Sequence, residues 1–148
     1  KTGIELTSPQ DAVDYPLLLY REVGEPIIRP VLAINWDDRS VRVNGHVKTG
    51  EKIRFSMAAD FQVIDQVIQE CKAVQRDELE SADAVVIFSC FGRQFGFGPL
   101  IAKEIKGIQD TFNAPLAGFF TFGEFGRATN GNHEYHNLTC CWVALKEK

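Results

Sequence analysis

The chain has 148 residues, 45% hydrophobic and 24% charged, with a net charge of -4 and an isoelectric point near 5.4. That length supports one compact domain with a hydrophobic core, and that composition excludes a largely disordered chain. The acidic balance lacks the basic footprint of a protein that tracks phosphate backbones, and no apolar run approaches the roughly 20 residues that span a bilayer, so neither nucleic acid nor membrane insertion is expected.

The sequence opens at Lys1 without a methionine, as a fragment or processed product would, and residues 1–15 read as a polar connection arriving from an upstream region, with a turn or short helix start at Ser8-Pro9-Gln10-Asp11. Residues 16–148 read as the domain itself. Leu17 to Val23 is a strand candidate, and after the turn Gly24-Glu25-Pro26 a longer strand runs from Ile27 to Trp36, with Pro30 marking an edge position or a bulge. Val41-Arg42-Val43 and Ile53-Arg54-Phe55-Ser56-Met57 alternate around the turn dipeptide Asn44-Gly45, so the stretch reads as an antiparallel meander buried on one face. Asp60 is placed to cap a helix whose apolar positions Phe61, Ile64, Val67, Ile68, Cys71 and Val74 keep helical spacing to about Gln75.

Residues 84–91, Ala-Val-Val-Ile-Phe-Ser-Cys-Phe, form a short run rich in β-branched and aromatic side chains, which fits a central strand buried on both faces. Gly92, Gly96 and Gly98 then suggest a glycine turn, with a helix starting near Pro99. Ile101, Ile105, Ile108 and Phe112 make one apolar stripe, and Lys103, Glu104, Lys106 and Gln109 are expected on the exposed surface of that helix. Asn113-Ala114-Pro115 stops it, Leu116 to Phe122 is a second apolar run, and Gly123-Glu124 closes the unit. From Phe125 to His136 no apolar period is visible, so a loop long enough to cover a pocket is expected before a last strand from Leu138 to Leu145. The fold class is therefore α+β, that is mixed α/β: an N-terminal antiparallel meander, a helix, a β-α-β unit and a C-terminal strand in a mixed sheet.

Cys71, Cys90, Cys140 and Cys141 are scattered, which matches neither a disulfide framework nor the paired knuckles of a structural zinc site; reduced thiols in a cytoplasm fit, and Asn137-Leu138-Thr139 is read as a coincidental match to a glycosylation acceptor. Cys90 with His133 or His136 could be a nucleophile and base, but a thiol late in an apolar strand tends to stay protonated. Glu104 and Glu124 could act as an acid–base pair, without a second motif in support. His133, Glu134 and His136 would need a fourth ligand and an unusual backbone to hold zinc, so no metal and no cofactor is expected. The glycine turn lacks the lysine and hydroxyl of a phosphate-binding loop. What remains is Arg93, Glu124, His136 and Asn137 beside hydroxyls and aromatic walls, a set suited to a small zwitterionic ligand whose two charges are paired while the rest is desolvated.

Three blocks carry a family likeness: Phe88-Ser89-Cys90-Phe91-Gly92-Arg93, then residues 115–124 (Pro-Leu-Ala-Gly-Phe-Phe-Thr-Phe-Gly-Glu), then His136-Asn137-Leu138-Thr139. They resemble, in order and spacing, the motifs of the C-terminal FIST domain, the F-box and intracellular signal transduction family, with the Glu104 helix between the first two. The likeness extends more loosely back to about Pro16. It implies an intracellular sensory or signal-transduction domain that binds a small ligand such as an amino acid or derivative, and that works with an N-terminal FIST half or a signalling output domain elsewhere; a cytoplasmic domain without catalytic activity is expected. The expected ligand-binding residues, at the strand ends and in these blocks, are Ser89, Cys90, Arg93, Glu104, Thr121, Glu124, His136, Asn137 and Thr139. The alternatives are an enzyme using Cys90 or Glu124 at the strand ends, and a protein-interaction scaffold.

Overall fold

The computed structural model describes residues 14–57, 60–127 and 131–147. The expected turn at Ser8-Pro9-Gln10-Asp11 lies outside the described residues. The fold is mixed α+β and divides into two compact units, residues 1–58 with 127–132 and residues 59–126 with 133–148.

In the first unit, β1 (Leu17–Tyr20) is flanked by β2 (Ile27–Arg29) and β5 (Lys52–Phe55), both antiparallel to it, while β3 (Val31–Asn35) and β4 (Ser40–Val43) form a separate antiparallel hairpin. The expected single strand from Ile27 to Trp36 is thus cut at Pro30, which has no N–H to continue a ladder, and the meander becomes two small sheets. Leu17 and Val31 are buried and take Ile34 and Val43 against them. The Asn44-Gly45 turn closes on Arg29: Gly45 has φ +87°, and a Cβ there would lie 2.7 Å from Arg29 Nε, so both the backbone angle and the close approach require glycine.

The second unit holds α1 (Gln62–Asp77), β6 (Ala84–Cys90), α2 (Phe91–Phe97), a 3₁₀ turn (Gly98–Leu100), α3 (Ile101–Phe112), β7 (Leu116–Thr121), the paired strands β8 (Glu124–Arg127) and β9 (His133–His136), and β10 (Cys140–Leu145). Its main sheet has the order β10-β6-β7. The β6–β7 pair is parallel, with Val85 opposite Leu116 and Cys90 opposite Thr121, and β6–β10 is antiparallel, with Ser89 opposite Cys140. The expected β-α-β unit is present with β6 at its centre. Alternation sends Val85, Ile87 and Ser89 to one face, where Cys71 of α1 and Ile108 and Phe112 of α3 pack with Trp142 and Ala144. Val86 and Phe88, on the other face, are only half-buried, so β6 is sealed on one side rather than both. Gln75 Nε2 donates to the Thr111 carbonyl at 2.7 Å and ties α1 to α3, and Asn113, left-handed at φ 48°, caps α3 with its N–H on the Gln109 carbonyl.

Two further expectations change. The glycine turn after β6 is a helix, α2, because Arg93 and Phe97 stack one turn apart, the guanidinium carbon 5.0 Å from the ring centre, and both are buried; Gly98, at φ 52°, then ends it and Pro99 opens the 3₁₀ turn. Of the expected loop from Phe125 to His136, the described residues include the paired strands β8 and β9, held in part by Phe125 and Tyr135, whose rings lie 5.1 Å apart.

Candidate functional site

Six polar or charged side chains are buried among the described residues, and five of them, Ser89, Arg93, Glu104, Glu124 and Asn137, come from the region around the C-terminal end of β6. The strand delivers Ser89 and Cys90, the first turn of α2 delivers Arg93, α3 brings Glu104 back toward the sheet, β7 ends in Thr121, β8 starts with Glu124, and the β9–β10 connection supplies Asn137, Leu138 and Thr139. Chain paths are fixed there by backbone contacts. The Cys90 N–H donates to the Thr139 carbonyl at 2.9 Å, and Leu138, with φ 57°, is held in a conformation rare for a leucine. Gly92 lets the Leu138 side chain pass, since any Cβ at residue 92 would collide with it.

The polar groups form two clusters. In the first, Arg93 is bidentate to Glu104: Nη2 is bonded to Oε1, Nε donates to Oε2 at 3.3 Å, and Nη1 donates to the Leu138 carbonyl at 3.1 Å. In the second, the Glu124 carboxylate accepts from the Thr121 hydroxyl at 2.6 Å and from the Thr139 hydroxyl at 3.0 Å. The clusters sit on opposite faces of the sheet end. Cys140, beside Ser89 on the helix-facing side, feels Glu104 and Arg93, whereas Cys90 and Cys141, on the alternate side, feel Glu124. Arg93 is therefore paired with Glu104 rather than set across a single hollow from Glu124.

Glu104 was expected at the surface and is instead fully enclosed. The signal was present in the sequence: Glu104 follows Ile101 by three and precedes Ile108 by four, which places it on the apolar stripe itself. Asn137 is buried and donates to the Tyr135 hydroxyl at 3.3 Å. His136 is half-buried and makes no side-chain hydrogen bond among the described residues, and Ser89 Oγ, fully enclosed, likewise has none there. The Cys140 thiol opposite Ser89 interacts with that hydroxyl, but sulfur is a weak partner.

All four thiols are pushed toward the protonated form. Burial is the first cause in each case, taking Cys71 up to about 12 and raising Cys140 as well, and the Glu124 carboxylate adds to it at Cys90 and Cys141. A protonated Cys90 beside a carboxylate is a poor nucleophile. Among the described residues no group of His, Cys, Asp and Glu is arranged to hold a metal ion, and no helix is long and apolar enough to cross a membrane.

No curated protein and no solved structure matches the chain. A family model does: that of the FIST C domain, a signal-transduction-associated domain, over residues 4–127. That span covers most of the chain and includes Ser89 to Arg93, Glu104 and the Thr121–Glu124 corner, so the chain belongs to the FIST C domain family.

Proposed function

We propose that this domain senses a small polar ligand, an amino acid or a derivative, at the C-terminal end of the β6–β7 pair, and that it does so within a cytoplasmic signalling protein carrying an N-terminal FIST half or an output domain. The observation that supports this reading is the concentration of buried polar side chains at that strand end, the location where open α/β sheets commonly take ligands. Glu124 is the proposed anchor. Its carboxylate is held by two neutral hydroxyls, from Thr121 and Thr139, and a ligand ammonium displacing either of them would replace a neutral hydrogen bond by a charge-assisted one. His136 and Asn137 would meet the other end of the molecule. Arg93, committed to Glu104 and to the Leu138 carbonyl, positions the β9–β10 connection in this reading rather than meeting ligand charge directly.

Thermal-shift screening of the full chain against amino acids and small amines tests the proposal. A ligand at about one hundred times its Kd stabilises by roughly 2.7 kcal/mol, a rise of about 5–10 °C for a chain of this size, and Glu124→Gln should abolish it. A panel with no rise, or a rise that survives Glu124→Gln, defeats the assignment. A second reading, a protein-interaction scaffold, is favoured by the exposed apolar side chains Phe119, Val143 and Leu145 on the sheet face away from the helices. It predicts association that Phe119→Ser weakens, with no response to the panel.

A further inference from the structure

We infer that the domain carries a second binding site, separate from the Glu124 cluster, for a neutral and largely apolar molecule with one hydrogen-bonding group, seated between β7 and α3 with its polar atom on Ser89. A cavity of about 390 Å³ opens there, lined by Ile87, Ser89, Ile105, Leu116, Gly118 and Phe120 among others. It exists because β7 is the edge of its sheet while α3 packs its buried stripe over the neighbouring β6, leaving the helix-facing side of β7 incompletely covered. Gly118 keeps the middle of that wall free of a side chain. The volume lies within the range of small-molecule sites, and such sites combine apolar walls with a few placed polar atoms.

The polar atom is Ser89 Oγ. It is enclosed, it meets no oxygen or nitrogen partner among the described residues and only the weakly bonding Cys140 thiol, and it belongs to a residue lining the cavity. A buried hydroxyl left with no better partner than a thiol is unfavourable, and a ligand hydroxyl, carbonyl or amide brought against it would relieve that penalty. A charged head group does not fit the same place: no charged residue lines the cavity, and Glu104, the residue before Ile105, is already engaged by Arg93. An ion desolvated there would gain no counter-charge.

The test uses 1-octanol as the probe and octanoate as its charged counterpart, with binding to the full chain followed by calorimetry and by chemical-shift changes at Ile87 and Phe120. The alcohol should bind at least about tenfold more tightly than the carboxylate. Ser89→Ala should weaken the alcohol about tenfold, since the ligand then buries its own hydroxyl unpaired, while the melting temperature of the free variant stays level or rises. Ile105→Phe, which fills the cavity from α3, should block both ligands. Failure of 1-octanol to bind, equal binding of octanoate, or an unchanged affinity in Ser89→Ala overturns the inference. Glu124→Gln should leave 1-octanol binding intact, so this result stands or falls independently of the amino-acid screen.

Discussion

The Glu104 side chain presents no surface to solvent, and Arg93, almost as deeply enclosed, supplies its charge partner. Removing one member of a buried pair strands the other, which typically costs about 3–5 kcal/mol, whereas replacing both by apolar groups of similar volume is often neutral. Glu104→Gln should therefore lower stability in urea by that amount, and the double variant Arg93→Met with Glu104→Leu should recover most of the loss. Near-wild-type stability for Glu104→Gln would show that the pair is solvated. At this scale the sequence was legible for residue type but not for partnership. Arg93, Glu104 and Glu124 were all identifiable as candidates, yet their pairing depends on α3 folding back over β6, and on Ser89 and Cys90 pointing to opposite faces of one strand. A side chain's partner is set by packing between elements, which a single residue's identity does not encode.

The elements with strong periodicity were readable in advance. Residues 84–91 and 116–122 are uninterrupted apolar runs, and the stripe from Ile101 to Phe112 sits between Pro99 and Pro115, so the β-α-β unit could be drawn before its coordinates. α2 could not, because Gly92, Gly96 and Gly98 argue for a turn when propensity is weighed alone; the helix is held by tertiary burial of Arg93 and Phe97 instead. The β8–β9 pair was hidden by the polar run His133-Glu134-Tyr135-His136, whose alternation is too short to stand out. Gly118 shows how an element's neighbour can reverse a propensity. Replacing glycine by alanine inside a strand ordinarily gains about 0.5–1 kcal/mol, but a Cβ at residue 118 would run into the Ile87 carbonyl oxygen, a backbone atom that cannot turn away. Gly118→Ala should thus destabilise by about 1–3 kcal/mol. Gly96→Ala in α2, where a Cβ has nothing within 4 Å, should stabilise slightly. Urea midpoints that moved the two variants in the same direction would contradict the packing of β7 on β6.

Across the whole molecule the two units differ in one titratable group: all four cysteines belong to residues 59–126 and 133–148, and none to the rest. Each thiol is raised above its ordinary value by burial. Cys71 gives the clearest window, since it stays protonated in the folded state up to about 12, against an ordinary thiol value of 9.0 once unfolded. Between those two values the unfolded chain holds fewer protons than the folded one, so stability is complete below about pH 9 and declines as pH rises, by up to about 1.4 kcal/mol per pH unit for a single such thiol. The tryptophans allow the units to be followed separately, because Trp36 lies in the first and Trp142, its ring tilted against Phe112 with centres 5.3 Å apart, lies in the second. In a Trp36→Phe variant, the urea midpoint reported by Trp142 should fall between pH 9 and 11, and adding Cys71→Ala should flatten that fall while lowering stability at pH 7 through the cavity it leaves. An identical slope with and without Cys71 would mean that its thiol is not withheld from water in the folded protein, and that the core between α1, α3 and β6 is looser than the buried positions of Cys71, Ile108 and Val85 require.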